Sequence, residues 1–234
     1  MAEDLTQRPV AAAAISDQGT VSDATAVTGP SPGYLAVKRG LDVVLGSLLL
    51  LISLPLLLVL GLAVRLDSPG PAFFRQDRVG RGGTVFTIFK LRSMTRHAPA
   101  YSYKIPQEDP RITRVGGWLR RTGLDELPQL LNVVRGDMSL IGPRPELPFI
   151  VEQCQMWEHS RLSVRPGITG WWQIHHRDDI PLHLNLEYDN FYLANLSPSL
   201  DWQIACRTIQ VMLKGAAAPA PQPIAEPRTD SQTP

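Results

Sequence analysis

The chain has 234 residues and a formal net charge of +1, from 23 Lys and Arg against 22 Asp and Glu, so its total charge gives no indication of nucleic-acid binding. The arginines are concentrated centrally beside carboxylates, a pattern that points to a small anionic substrate or to anionic lipid headgroups. Two distant cysteines, Cys154 and Cys206, argue against a disulfide framework or a CxxC zinc site and for a reducing cytosol.

Residues 1–35 are small and polar, with no sustained period, and read as a disordered tail. Glu3 and Asp4 and the lack of an early apolar core set them apart from a secretory signal. Residues 36–67 form the next unit. Lys38-Arg39 precede an apolar run from Val43 to Val64, roughly 33 Å as a straight helix and long enough to span a bilayer. Pro55 removes a backbone donor inside that run, and Ser53 can offer a hydroxyl to freed carbonyls, so a kink is expected. Basic residues flank both ends, with Arg65, Arg75 and Arg78 following the run, and pull both toward the cytoplasm. On this evidence a re-entrant hairpin and a plain span stand level.

Ser68-Pro69-Gly70-Pro71 breaks the helix and opens a third unit, residues 68–215. Two apolar segments, from Ala72 and to Lys90, predict a β-hairpin around Gly80, Gly82 and Gly83; no helix follows these glycines, so they read as a turn and not a phosphate loop. Strand alternation puts Lys90 and Arg92 on one face as candidate phosphate ligands, or as a solvated edge. His97 to Pro106 reads as a loop. Ile112, Val115, Trp118 and Leu119 then form the apolar face of a helix rich in arginine, suited to a membrane surface.

That helix leads into Thr122-Gly123-Leu124-Asp125-Glu126-Leu127-Pro128-Gln129, where two adjacent carboxylates fall in the first turn of a new helix. A helix start favours anions, so a phosphate-bearing ligand could sit beside them; an ordinary acidic first turn explains the pair equally well. Arg144 lies between Pro143 and Pro145, whose rings fix the backbone around one guanidinium and suit it to clamp a phosphate or carboxylate. Trp171-Trp172 can stack, anchor at an interface or pack. His175-His176 point apart on regular backbone and have no third ligand at metal-binding spacing. Leu184–Leu193 and Asp201–Lys214 read as helices, and the Ala/Pro-rich residues 216–234 as a second disordered tail.

Taken together, Lys38-Arg39-Gly40-Leu41-Asp42, Asp67-Ser68-Pro69-Gly70-Pro71, Phe89-Lys90-Leu91-Arg92-Ser93-Met94, Leu124-Asp125-Glu126-Leu127-Pro128-Gln129, Gly136-Asp137-Met138-Ser139, Gly142-Pro143-Arg144-Pro145-Glu146 and Arg165-Pro166-Gly167-Ile168-Thr169-Gly170-Trp171 resemble the bacterial sugar transferases that are monotopic phosphoglycosyl transferases. The resemblance spans about Lys38 to Gly215. It implies an α/β fold, mainly α: a proline-broken re-entrant membrane helix, broken at Ser53 and Pro55, with a small catalytic domain and interfacial amphipathic helices on the cytoplasmic face of the bacterial inner membrane. It thereby favours the hairpin.

The implied reaction moves a sugar 1-phosphate from a UDP-sugar to undecaprenyl phosphate with Mg²⁺, releasing UMP and starting exopolysaccharide, capsule or glycan assembly. By family motif Asp125 is the nucleophile that forms an aspartyl phosphosugar, and Glu126 suits Mg²⁺ coordination. Lys90, Arg120 and Arg144 match the family's basic positions, and Asp189 an acidic position near the site. Three departures stand out: Gly123 where family members often have Ser, Leu54 between Ser53 and Pro55 where Ser-Pro is often contiguous, and Trp172-Gln173-Ile174-His175-His176 after Trp171. A non-catalytic membrane-anchored assembly module and a Mg²⁺-dependent phosphohydrolase are the competing functions. The sugar, the final glycan and the oligomeric state, a homodimer included, are not legible.

Overall fold

The computed structural model describes residues 32–96, 98, 109–154, 160–175 and 186–214. Residues 1–31, the C-terminal tail, most of the 97–106 loop and His176 lie outside the described residues, while residues 32–35, read with the N-terminal tail, form the first turn of a helix. The described chain is mostly helical, with two small sheets and one long apolar helix at its start.

Helix α1 runs from Pro32 to Asp67 and stays helical through Pro55. Ser53 donates its hydroxyl to the Leu50 carbonyl (3.0 Å). Pro55 lacks the N–H that would reach residue 51, so Ser53 serves the turn above without replacing the missing bond. α1 is long and apolar enough to cross a membrane, with a mean hydropathy of 2.9 over its most apolar window and only 22% of that window buried. Leu51, Ile52, Leu58, Val59 and Leu62 are all exposed. An apolar surface of that extent marks a membrane-associated element.

The buried stripe of α1 packs on the rest of the chain along its whole length. Leu57, Leu60 and Val64 join Leu91 and Leu119 in one core cluster. Near the other end Gly46 lies against Val133, so close that a Cβ there would touch its methyl group at 3.0 Å. Polar ties reinforce both ends. Arg39 donates to the Val133 and Val134 carbonyls (2.6 and 3.0 Å), and Asp42 accepts from the Leu140 N–H (3.0 Å). At the far end Asp67 accepts from the Val115 N–H (2.9 Å).

Strands β1 (Phe73–Val79) and β2 (Val85–Leu91) pair antiparallel, with Phe74 opposite Lys90 and Arg78 opposite Phe86. The connection is a glycine turn, as the sequence predicts. Helix α2 (Arg114–Thr122) starts at Thr113, whose side chain accepts from the Gly116 N–H, and ends at Gly123. After a 3-10 turn over Leu124–Gln129 comes α3 (Leu130–Arg135), stopped by Gly136 at φ 103°. The acidic pair therefore lies in the first turn of a 3-10 segment and not of a regular α-helix, because Pro128 cannot donate in a continuous helix.

Strand β3 (Ser139–Ile141) pairs parallel with β4 (Gly167–Thr169), a ladder with no periodic signal in the sequence. Three-residue strands are too short to show an alternation. Helices α4 (Pro148–Gln153), α5 (Trp171–His175), α6 (Leu186–Ala194) and α7 (Pro198–Lys214) complete the described chain. Val164, Ile174, Tyr192, Leu193, Leu200 and Ile204 pack together in the core beneath them.

Candidate active site

The hairpin, the 3-10 turn and the proline-flanked loop converge. Cross-strand partners share a face, so Gln76, Arg78 and Lys90 project from the same side of the hairpin. All three line a cavity of about 1640 Å³ that is also lined by Arg120, Asp125, Glu126 and Arg144. On its apolar side the same cavity is lined by Leu45, Leu49 and Ile52 of α1 and Ile209 of α7.

Glu126 is the electrostatic centre. Lys90 Nζ donates to its Oε1 at 2.9 Å and Arg144 Nη2 to the same oxygen at 3.0 Å. Burial pushes its carboxyl up, but the pull of Arg144 and Lys90 wins and holds it well below the usual carboxylate range. Lys90 is lowered by burial, partly offset by Glu126, whereas Glu126 raises Arg144.

Asp125 has the opposite fate. It is 9% exposed, and among the described residues no side chain donates a hydrogen bond to its carboxylate. Burial, then the neighbouring Glu126 charge, push it up to about 6; Lys90, Arg144 and Arg120 pull the other way without cancelling that rise. Two adjacent carboxylates thus differ by environment: Glu126 is held low by two cations, while Asp125 is raised by burial and lines the cavity.

Gly123 explains one departure from the family pattern. It sits at φ 73°, in the left-handed region, as both the end of α2 and the start of the acidic turn. Glycine adopts that geometry without the Cβ clash a serine would meet.

Asp189 lies elsewhere. It does not line the cavity. Its carboxylate pairs with Arg161 Nη2 at 2.9 Å, an ion pair and not a well-aligned hydrogen bond, and both side chains are under 5% exposed. The structure thus brings Lys90, Arg120, Asp125, Glu126 and Arg144 to one cavity and leaves Asp189 outside it. Arg92, read with Lys90 as a phosphate candidate, lies past the end of β2. Its guanidinium donates to the carbonyls of Pro69 (2.6 Å), Ser68 (2.6 Å) and Val64 (3.3 Å), sealing the end of α1.

Sequence reading missed Asn132, which is fully buried. Its amide donates to the Thr87 carbonyl (2.8 Å) and to Asp137 (3.1 Å), and its oxygen accepts from the Phe89 N–H (3.3 Å), stitching α3 to the strand that carries Lys90. A polar residue inside the Leu130-Leu131-Asn132-Val133-Val134 run was the available signal. Trp171 stacks on Phe191 (4.8 Å between centroids), which is packing, while Trp172 lines the cavity.

Among the described residues no three His, Cys, Asp or Glu side chains gather into a metal-binding group. Mg²⁺ commonly takes one or two carboxylates and completes its shell with water and substrate phosphates. The pair here fits that habit. Both cations engage Oε1 of Glu126, which leaves its Oε2 as the oxygen a divalent ion would take.

A family model described as bacterial sugar transferase matches residues 33–215. A UDP-N-acetylgalactosamine-undecaprenyl-phosphate N-acetylgalactosaminephosphotransferase of Aeromonas hydrophila is 41% identical over 199 residues, covering 81% of this chain and 46% of that protein. A UDP-glucose:undecaprenyl-phosphate glucose-1-phosphate transferase of Escherichia coli is 41% identical over 182 residues, covering 74% and 39%. The chain therefore spans less than half the length of these two relatives. An uncharacterised sugar transferase of Bacillus subtilis, EpsL, is 38% identical over 179 residues, covering 76% of this chain and 88% of its own. With the family match running from the first turn of α1 to the end of α7, the chain belongs to the bacterial sugar transferase family.

Proposed function

We propose that this chain transfers a sugar 1-phosphate from a UDP-sugar to undecaprenyl phosphate, releasing UMP, on the cytoplasmic face of a bacterial inner membrane. The observation that carries this reading is the division of charge between Asp125 and Glu126 in a cavity with a cationic end and an apolar flank. The names of the Aeromonas and E. coli relatives supply the donor and acceptor classes.

In the first step an Asp125 carboxylate oxygen attacks the sugar-bearing phosphorus. The bond from that phosphorus to the bridging oxygen breaks, UMP leaves with the electron pair, and an aspartyl phosphosugar remains. In the second, an oxygen of undecaprenyl phosphate attacks the same phosphorus and the Asp125 carboxylate departs, giving undecaprenyl diphosphate sugar. Arg120, Arg144 and Lys90 lie where they offset the diphosphate charge, and the last two also fix Glu126. When bound, Mg²⁺ supplies Lewis-acid stabilisation of the phosphate oxygens, with Glu126 as its protein ligand.

Two features support a monotopic arrangement. Both ends of α1 are tied to one body: Arg39 and Asp42 to α3 and the Leu140 N–H, Asp67 and the Val64 carbonyl to α2 and Arg92. Opposite sides of a bilayer could not satisfy all of these bonds with the catalytic residues still in water. Trp118 of α2 and Trp202, Ile209 and Leu213 of α7 are exposed apolar side chains of the kind that dock at a membrane interface. The test is UMP release across a panel of UDP-sugars, with and without undecaprenyl phosphate. Sustained turnover should require the lipid; equal sustained turnover without it would make the chain a phosphohydrolase, and no release with any donor would refute the transferase reading.

A further inference from the structure

Arg144 meets Glu126 from a segment that two prolines deprive of backbone donors, so the segment must be held through its carbonyls. Four successive carbonyls are engaged. The Gly167 N–H donates to Pro143 (2.8 Å), Arg161 Nη2 to Arg144 (2.9 Å), Arg78 Nη1 to Pro145 (2.9 Å) and the Val79 N–H to Glu146 (2.9 Å). Gly167 and Val79 belong to strands, and Arg78 is steadied by Gln76 Oε1 (2.7 Å from Nη2, 3.2 Å from Nε). Arg161 is the donor that grips the backbone of Arg144 itself.

A buried guanidinium needs a counter-charge. Asp189 supplies it, 2.9 Å from the same Nη2 atom that serves the Arg144 carbonyl. We propose that Asp189 and Arg161 are positioning residues for phosphosugar transfer: Asp189 fixes Arg161, Arg161 fixes the Arg144 backbone, and the Arg144 guanidinium is thereby kept on Glu126 Oε1. This rests on the transferase reading and gives Asp189 a role exercised through Arg161 and not by touching substrate. Displacing a charged group in a site by about 1 Å can cost about 100-fold in rate, so a pair outside the cavity can govern turnover.

A double-mutant cycle separates positioning from plain stability. The full chain is compared as wild type, Arg144→Met, Asp189→Asn, Asp189→Asn/Arg144→Met, and Asp189→Asn/Arg161→Gln, which removes both buried charges together and so strands neither. Melting temperature and, for UMP release, kcat and KM separately are read for each. Arg144→Met removes the guanidinium held on Glu126 Oε1, so kcat/KM falls, chiefly through kcat. Asp189→Asn and the charge-free pair are expected to reproduce that loss in kcat by about 10- to 100-fold with KM for the UDP-sugar changed less, and adding Asp189→Asn to Arg144→Met should cost no more than about twofold further.

Losses that multiply overturn the proposal, as does a charge-free pair that melts like wild type and keeps the wild-type kcat. If Asp189→Asn does not fold, the charge-free pair takes its place in the cycle. Failure of both to fold also counts against positioning, since the pair is then a folding element. Failure confined to the Asp189 and Arg161 variants sinks this proposal alone. A wild type that releases no UMP, or an Arg144→Met variant indistinguishable from wild type, sinks the reading of the site on which it rests.

Discussion

At the scale of single residues, Asp125 and Glu126 are neighbours that differ in partners, since Lys90 and Arg144 both hold Glu126. Because Asp125 titrates at about 6 and must be ionised to attack, kcat/KM should fall as pH drops below that value. Glu126 contributes to the rise in Asp125, so Glu126→Gln removes a negative neighbour and should move the acid limb to lower pH while slowing turnover and weakening its Mg²⁺ dependence. An unchanged or upward-shifted limb would contradict this division of charge. A second residue-scale prediction concerns Asn132. Truncation to Ala leaves the Thr87 carbonyl and the Phe89 N–H without their buried partner, at an expected cost of about 2–4 kcal/mol, visible in thermal unfolding. A wild-type melting temperature would show that those groups find other partners.

At the scale of elements, what was legible in the sequence was what repeats. The apolar run, the hairpin, α2, α6 and α7 each span enough residues to show a period. The β3–β4 ladder does not, and its residues are separated by a stretch with no local sign that they meet. Arg92 shows how a correct rule fails at a boundary: alternation puts it on the face of Lys90, but the strand ends at Leu91 and the side chain turns to the end of α1. Asp125, Glu126, Lys90 and Arg144 were legible because each sits in a motif, and Arg120 because it matches a basic position of the family, whereas Arg161 carries no motif and is tied to the site only through contacts distant in sequence. The topology of α1 is tested at this scale. With Cys154 and Cys206 replaced by serine, single cysteines at Ala36 and Pro69, both exposed, should react alike with an impermeant reagent from the cytoplasmic side. Opposite accessibility would make α1 a span. Gly116 is a packing test: its Cβ would collide with the Ser93 backbone, so Gly116→Ala should cost about 1–3 kcal/mol, and a neutral result in thermal unfolding would show that the Ser93 segment can yield.

At the scale of the molecule, one apolar helix is laid against a small catalytic body so that a charged pocket and an apolar flank line a common cavity. This arrangement suits the proposed reaction between a nucleotide sugar and a lipid phosphate. The family match ends at residue 215 and begins at 33, so a chain cut to residues 31–216 should retain nearly all of its turnover in detergent; a large loss in a folded, truncated protein would give a tail a role in the reaction.

The central claim is a covalent intermediate on Asp125. Wild-type protein given a UDP-sugar that it turns over, with no lipid acceptor present, should release a burst of about one UMP per active site and carry one phosphosugar on the peptide containing Asp125, seen by intact-mass and peptide mass spectrometry. Asp125→Asn should show neither burst nor adduct. Absence of the adduct in protein of confirmed turnover, or substantial transfer by folded Asp125→Asn, would contradict the account and favour direct displacement by the lipid phosphate.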